Sequence, residues 1–356
     1  MAGNSQKMEK EVKMLKEWEK RENFLKIVRR EGWGFVPGRV HIAGMVWDED
    51  SAYFESLRRR MKNVLINPAK PPERKIEHLH RDNWGCLWHY PGNYLDGQVV
   101  EHPLADWRNF SSFQVPDPDT YYNWEEEEKK LAQMEEEGRP RAGYVEHGFL
   151  YLRLTYLRGF VNFMIDVGEE KKELWELRDK VVSFWEDVIR RWLSLGVDII
   201  YFADDLGHQD SLPMSPHLWR SLIKPGYKKI FSLCRDKGVE VYLHTDGYIV
   251  DIIPDLIEAG VTILNLQDRV NGLENIERLV KGKIAIDLDI DRQYVTFSGT
   301  PEEIEKHILK CIQKLGSSRG GLLLVFGAYP GIPHENITAV AEAMEKYASY
   351  WERDKQ

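Results

Sequence analysis

His244 and Asp246 stand two apart at the end of an apolar run, EVYLHTD, and residues at that spacing on a strand point to one side. An imidazole and a carboxylate within reach of one atom make two ligands for a zinc ion, or a histidine held in one tautomer for acid–base work. The structural alternative is Asp246 as the cap of the next helix, with His244 simply buried. Polar groups close other apolar runs in the same way. DIIYFA leads into Asp204, Asp205, His208, Gln209 and Asp210; VTIL leads into Asn265, Gln267 and Asp268; KIAI leads into Asp287 and Asp289; LLLVF leads into Gly327 and Tyr329. Adjacent residues of a strand face opposite ways, so one of Asp204 and Asp205 faces inward. A close pair of carboxylates raises one pKa, which suits a proton donor. In 144–163 (YVEHGFLYLRLTYLRGFVNF), Arg153 and Arg158 lie among apolar residues, where a guanidinium can clamp a substrate carboxylate; Arg158, before Gly159, is the better placed. Trp84, Trp88, Tyr90 and Tyr94 offer flat surfaces for a ligand, for the core of an insertion or for a dimer contact.

These residues need elements to aim them. Apolar runs at 198–203, 240–244, 261–266, 283–287 and 321–326 read as strands. Amphipathic helices are expected near 170–195, 216–237, 249–259, 272–280, 301–315 and 335–350. Strands without polar alternation, separated by helices, imply a parallel sheet covered on both faces. No GxGxxG or GxxxxGK[ST] follows a strand, which favours a (β/α)8 TIM barrel over a nucleotide-binding doubly wound sheet. In a barrel the strand tips converge on one face, where active sites lie.

The first ~30 residues read as a charged amphipathic helix, with Met14, Leu15, Trp18, Phe24, Leu25 and Val28 at helical intervals. A strand at 38–47 and a helix at 51–62 follow. From residue 67 to about 140 the chain reads as a loop-rich insertion over or beside the barrel, with short strands near 84–88 and 99–102 and an acidic helix at 123–137. The expected organisation is a helical extension over 1–35 and one barrel domain over 36–356.

The chain's 356 residues carry 58 acidic and 49 basic side chains, a net charge of −9, which speaks against a general nucleic-acid binder. No apolar run approaches the ~18–20 residues a bilayer requires, and no signal-peptide core is visible. Cys86, Cys234 and Cys311 are widely spaced, consistent with a reduced, cytoplasmic setting. Cys234 and Cys311 read as buried hydrophobes; Cys86 alone lies in a loop-like setting.

The segments DNWGCLWHYPG, VVEHPLADW, LRGFVNFMID, FADDLGHQDSLPMSPHLW, LHTDGYIVDIIPDLIEAGVTILNLQ and GAYPGIPHENI resemble, in this order, the uroporphyrinogen decarboxylase superfamily across roughly 80–350. The resemblance implies a (β/α)8 barrel. It also implies either decarboxylation of a tetrapyrrole or, in the branch this chain looks more like, corrinoid-dependent methyl transfer. The arginine-rich stretch with which the decarboxylase binds substrate carboxylates corresponds here to FVPGRVHIAGMVWDED, with Arg39 alone. The zinc methyltransferases use His-x-Cys and a later Cys; here His244 matches, Asp246 replaces the first cysteine, and Tyr329 and Pro330 occupy the later neighbourhood. A His/Asp site is harder than a thiolate one and suits an oxygen-bearing substrate. The resemblance thus implies a methyltransferase acting between a small, methoxylated type of substrate and a corrinoid on a carrier protein. Its site would comprise His244 and Asp246 (catalysis or Zn²⁺), Asp204 or Asp205 (proton handling), and Arg158, His208, Gln209, Gln267, Asp287 and Tyr329 (substrate). The alternatives are a decarboxylase of a carboxylated ring and a non-catalytic binding barrel. Barrels of this superfamily often pair, so a homodimer is also compatible.

Overall fold

The computed structural model describes residues 15–69 and 74–355. Eight parallel strands form one sheet: β1 (Gly38–Ala43), β2 (Val64–Ala69), β6 (Ala142–His147), β7 (Ile199–Ala203), β8 (Glu240–His244), β9 (Ile263–Gln267), β10 (Ala285–Asp289) and β11 (Leu322–Ala328). Their order is β2-β1-β11-β10-β9-β8-β7-β6. Each strand from β7 onward lies beside its predecessor in the chain, as βα repetition demands. The sheet curls as in a TIM barrel. Among the described residues no ladder joins β2 to β6, so the closed ring expected from the sequence is an open curl.

The amino-terminal segment lies across the base of this curl. The helix Arg21–Arg29 buries Phe24, Leu25, Ile27 and Val28. With Trp18 these side chains form one apolar cluster with Ala142, Ile199, Ile263, Ala285 and Leu323, all near the amino ends of strands, and Leu65 of β2 packs against it. Trp18 Nε1 donates to the Asn63 carbonyl before β2, and the Arg21 amide donates to the Gly138 carbonyl before β6. The segment therefore ties together the two strands that do not pair. Met14 lies outside the described residues.

Between β2 and β6, the strands β3 (His78–Arg81), β4 (Leu87–Tyr90) and β5 (Gln98–Glu101) form a small antiparallel sheet. A helix, Trp124–Glu136, follows it; Asn123 caps its start, and Glu125, Glu126 and Glu127 occupy its first turn. Cys86, Cys234 and Cys311 are all buried; burial pushes the Cys86 thiol up to about 12, so no reactive thiolate forms there. No described helix is long and apolar enough to cross a membrane.

Register aligns the polar tips. His147 pairs with Ala203, Ala203 with His244, His244 with Asn265, and Asn265 with Asp287. These positions make one row across five neighbouring strands, facing into the curl.

Candidate active site at the strand tips

The row's centre is His244. Asn265 Nδ2 donates to the Asp287 carbonyl at 2.7 Å, which turns Asn265 Oδ1 towards His244 Nδ1. Nδ1 must then carry the proton, leaving Nε2 of the neutral ring as a bare lone pair. That lone pair faces Asp205 Oδ1 at 3.6 Å. Two acceptors confronting each other call for a proton, a bridging water or a metal ion between them. Asp205 Oδ2 lies 3.1 Å from His147 Nε2. Burial alone would raise Asp205's pKa, but the hydrogen bond and charge of His147, with the charge of His244, bring it below the ordinary carboxylate value. Burial disfavours the charged form of His147; the bond and charge of Asp205 outweigh this and raise its pKa.

One ligand atom each from His147, Asp205 and His244 falls within 4.8 Å of the others. Two imidazoles and one carboxylate suit a borderline divalent ion such as Zn²⁺, and an amide fixing the non-ligating ring nitrogen is the usual second support of such a site. Asp246, the second ligand expected from the sequence, lies outside this group of three. Asp246 Oδ1 approaches His244 Nε2 only to 3.9 Å, while both its oxygens accept from Arg292 at 2.9 and 3.1 Å.

Asp205 is the aspartate facing the cavity. Asp204 is fully buried and turned away, accepting from the Tyr151 and Leu152 amides at 2.6 and 2.8 Å and from the Tyr227 hydroxyl at 2.8 Å. It holds the start of the helix Tyr151–Arg158. Burial raises its pKa to about 6 against these three donors. Arg158 is also elsewhere: it pairs with Asp166 at 2.7 Å, donates to the Leu104 carbonyl and lies over Trp107. His208 and Gln209 are exposed loop residues outside the cavity lining. Gln267 accepts from the Gly247 amide at 3.0 Å and so shapes the loop after β8. Asp287 sits inside the curl, bound by Arg39 and the Tyr242 hydroxyl, because β10 runs to Asp289, beyond the end the sequence suggested. Tyr329 is 49% exposed and borders the cavity.

The cavity at these tips measures about 680 Å³ and is bordered by His147, Asp205, His244, Trp88, Tyr156 and Tyr329, among others. A smaller one of about 250 Å³ runs from His244 past Asp289 and Arg292 to His41 and Arg39. Burial and the charge of Arg39 push His41 down to about 4. Asp289 is 5% exposed, and burial, opposed by Arg292, raises it to about 8. Burial thus favours its neutral form more than in an ordinary carboxyl, and its Oδ1 lacks a hydrogen-bond partner. Every arginine at the mouth already serves carboxylates. Arg153 binds Asp82 and Glu146, Arg74 binds Asp96, and Arg292 binds Asp246 and Asp289.

His147 and Arg292 were not singled out from sequence, and Asp289 was read as a strand-tip acid without a role. His147 closes AGYVEH as His244 closes EVYLH, but the surrounding segment reads as a helix because of the arginines and leucines after it. Arg292 follows a strand end that had been placed too early.

Residues 151–347 match the family described as uroporphyrinogen decarboxylase (URO-D). A curated uroporphyrinogen decarboxylase from Synechococcus sp. (strain CC9605) is 26% identical over 179 residues, 50% of this chain and 49% of that one. The chain thus spans about half the length of the curated relative it matches. Among solved structures, a methyltransferase from Methanosarcina mazei superposes with a TM-score of 0.55 at 16% identity, over 74% of this chain and 76% of that one. This last likeness is one of fold.

Proposed function

The chain belongs to the uroporphyrinogen decarboxylase family, and from that premise we propose that it is a methyltransferase, moving a methyl group between a small oxygen-bearing donor and a corrinoid on a separate carrier protein. The observation that carries the reading is the paired state of the arginines at the mouth. A tetrapyrrole with many carboxylates needs free cations, whereas a small methyl ether needs none. His147, Asp205 and His244 would hold Zn²⁺, which when bound supplies Lewis acidity towards the donor oxygen. Asp289, whose raised pKa favours the protonated form, would give its proton to the departing oxygen. Arg292 would steady Asp289 and Asp246. Trp88, Tyr156 and Tyr329 would hold the apolar body of the donor and exclude water.

The test is methyl transfer from a panel of methyl ethers to cob(I)alamin, free and carrier-bound. Activity abolished in His244→Ala supports the reading; no transfer from any donor counts against it. Decarboxylation has the curated relative in its favour, and turnover of a carboxylated ring in its place would establish it. An idle binding barrel predicts a blocked mouth; the open cavity of about 680 Å³ speaks against it.

A further inference from the structure

The opposite end of the curl carries an unexplained charge cluster. Two adjoining cavities of about 430 and 470 Å³ lie at the amino ends of the strands, and both are bordered by Arg29 and Arg30. Their linings include six cationic residues (Arg29, Arg30, Arg235, Lys281, Lys283 and Arg319) and one carboxylate, Glu240. Glu240 is shared by Arg29 at 2.8 Å and Arg235 at 3.4 Å. Lys281 reaches Glu277 at 3.6 Å. Arg30, Lys283 and Arg319 pair with no described carboxylate; each donates only to a backbone carbonyl, of Gly282, Arg278 and Arg30 respectively. These cations stand in a chain of net charge −9.

The backbone is built to hold it. Arg30 adopts a left-handed conformation, φ 59°, as it leaves the amino-terminal helix. Gly320 and Gly321 both have φ near 90°. A Cβ on Gly321 would stand 2.7 Å from Arg30 Cγ, and one on Gly320 would stand 2.7 Å from the Trp33 carbonyl oxygen. A side chain at Gly321 would displace Arg30, and one at Gly320 would clash with the backbone of Trp33 and Ile27. Burial, with the neighbouring Arg319 charge, lowers the pKa of Arg30, the mark of a guanidinium short of a counter-ion.

We propose that Arg30 and Arg319, which border the same cavity, form a binding site for a small, multiply charged oxyanion, a phosphate or phosphate ester, on the face opposite the strand-tip cavity. Guanidinium groups take such anions through two parallel hydrogen bonds. The space of about 430 Å³ that Arg30 and Arg319 border is of the size that takes a small molecule. The site is independent of the methyl-transfer reading.

Isothermal titration of the full-length chain with inorganic phosphate and with pyrophosphate tests it. One saturable site per chain is expected, weakened about tenfold or more in Arg319→Ala and in Arg30→Ala. It should also weaken as salt is raised and stay unchanged in His244→Ala. Absence of saturable binding by either anion overturns the proposal, as does binding that both base variants retain at full strength. Because His244→Ala disables the proposed reaction without touching this face, failure of one reading leaves the other standing.

Discussion

One amide decides what His244 can do. With Asn265 anchored to the Asp287 carbonyl, the imidazole offers Nε2 as a lone pair towards Asp205. Asn265→Ala should therefore weaken zinc binding about 10- to 100-fold while the ligands remain, measured by chelator competition. Asp205→Asn should abolish stoichiometric metal, whereas Asp246→Asn, which loses its ion pair with Arg292, should retain it; metal analysis of the two purified variants separates these cases. Asp289 sets a pH limit. Its folded pKa, about 8, lies above its ordinary 3.8, so the stability this group contributes is complete below the ordinary value. That contribution is lost progressively as pH rises and is gone once pH has passed about 8. Methyl transfer should fall over the same upper limb as the acid ionises, and Asp289→Asn should be inactive yet show a flatter decline of melting temperature with pH.

At the scale of elements, the helix Tyr151–Arg158 depends on a residue 53 positions away. Asp204 closes its first turn from the end of β7, in the absence of any capping side chain of its own. Asp204→Ala strands two amide donors and the Tyr227 hydroxyl, and should cost about 3 kcal/mol in urea unfolding, with bound metal retained. Strand ends also decided which acids are catalytic candidates. Two further residues of β10 carry Asp287 inside and bring Asp289 to the cavity.

At the scale of the molecule, the open curl needs its amino-terminal segment. Trp18 and the helix after it bridge the edges that β2 and β6 leave unpaired, and unpaired edges invite aggregation. Phe24→Ala should cost about 3 kcal/mol by chemical denaturation and make the protein more prone to aggregate. The molecule also separates its chemistry by face: carboxylates and imidazoles at the strand tips, unpaired cations at the base.

Periodicity was enough to read the βα repetition from β7 onward, since strands covered on both faces need unbroken apolar runs and helices need one apolar stripe. It also brought His244 and one of the two adjacent aspartates to the tips. It passed over β6, because AGYVEH is half polar, and with it His147. Which aspartate turned inward, where Arg158 went and whether the sheet closed were decided by tertiary contacts: a helix start waiting for a carboxylate, an Asp166 beside the guanidinium, an amino-terminal segment between two edges. Local pattern reports which way a side chain can point; only the packed partners determine what it meets there.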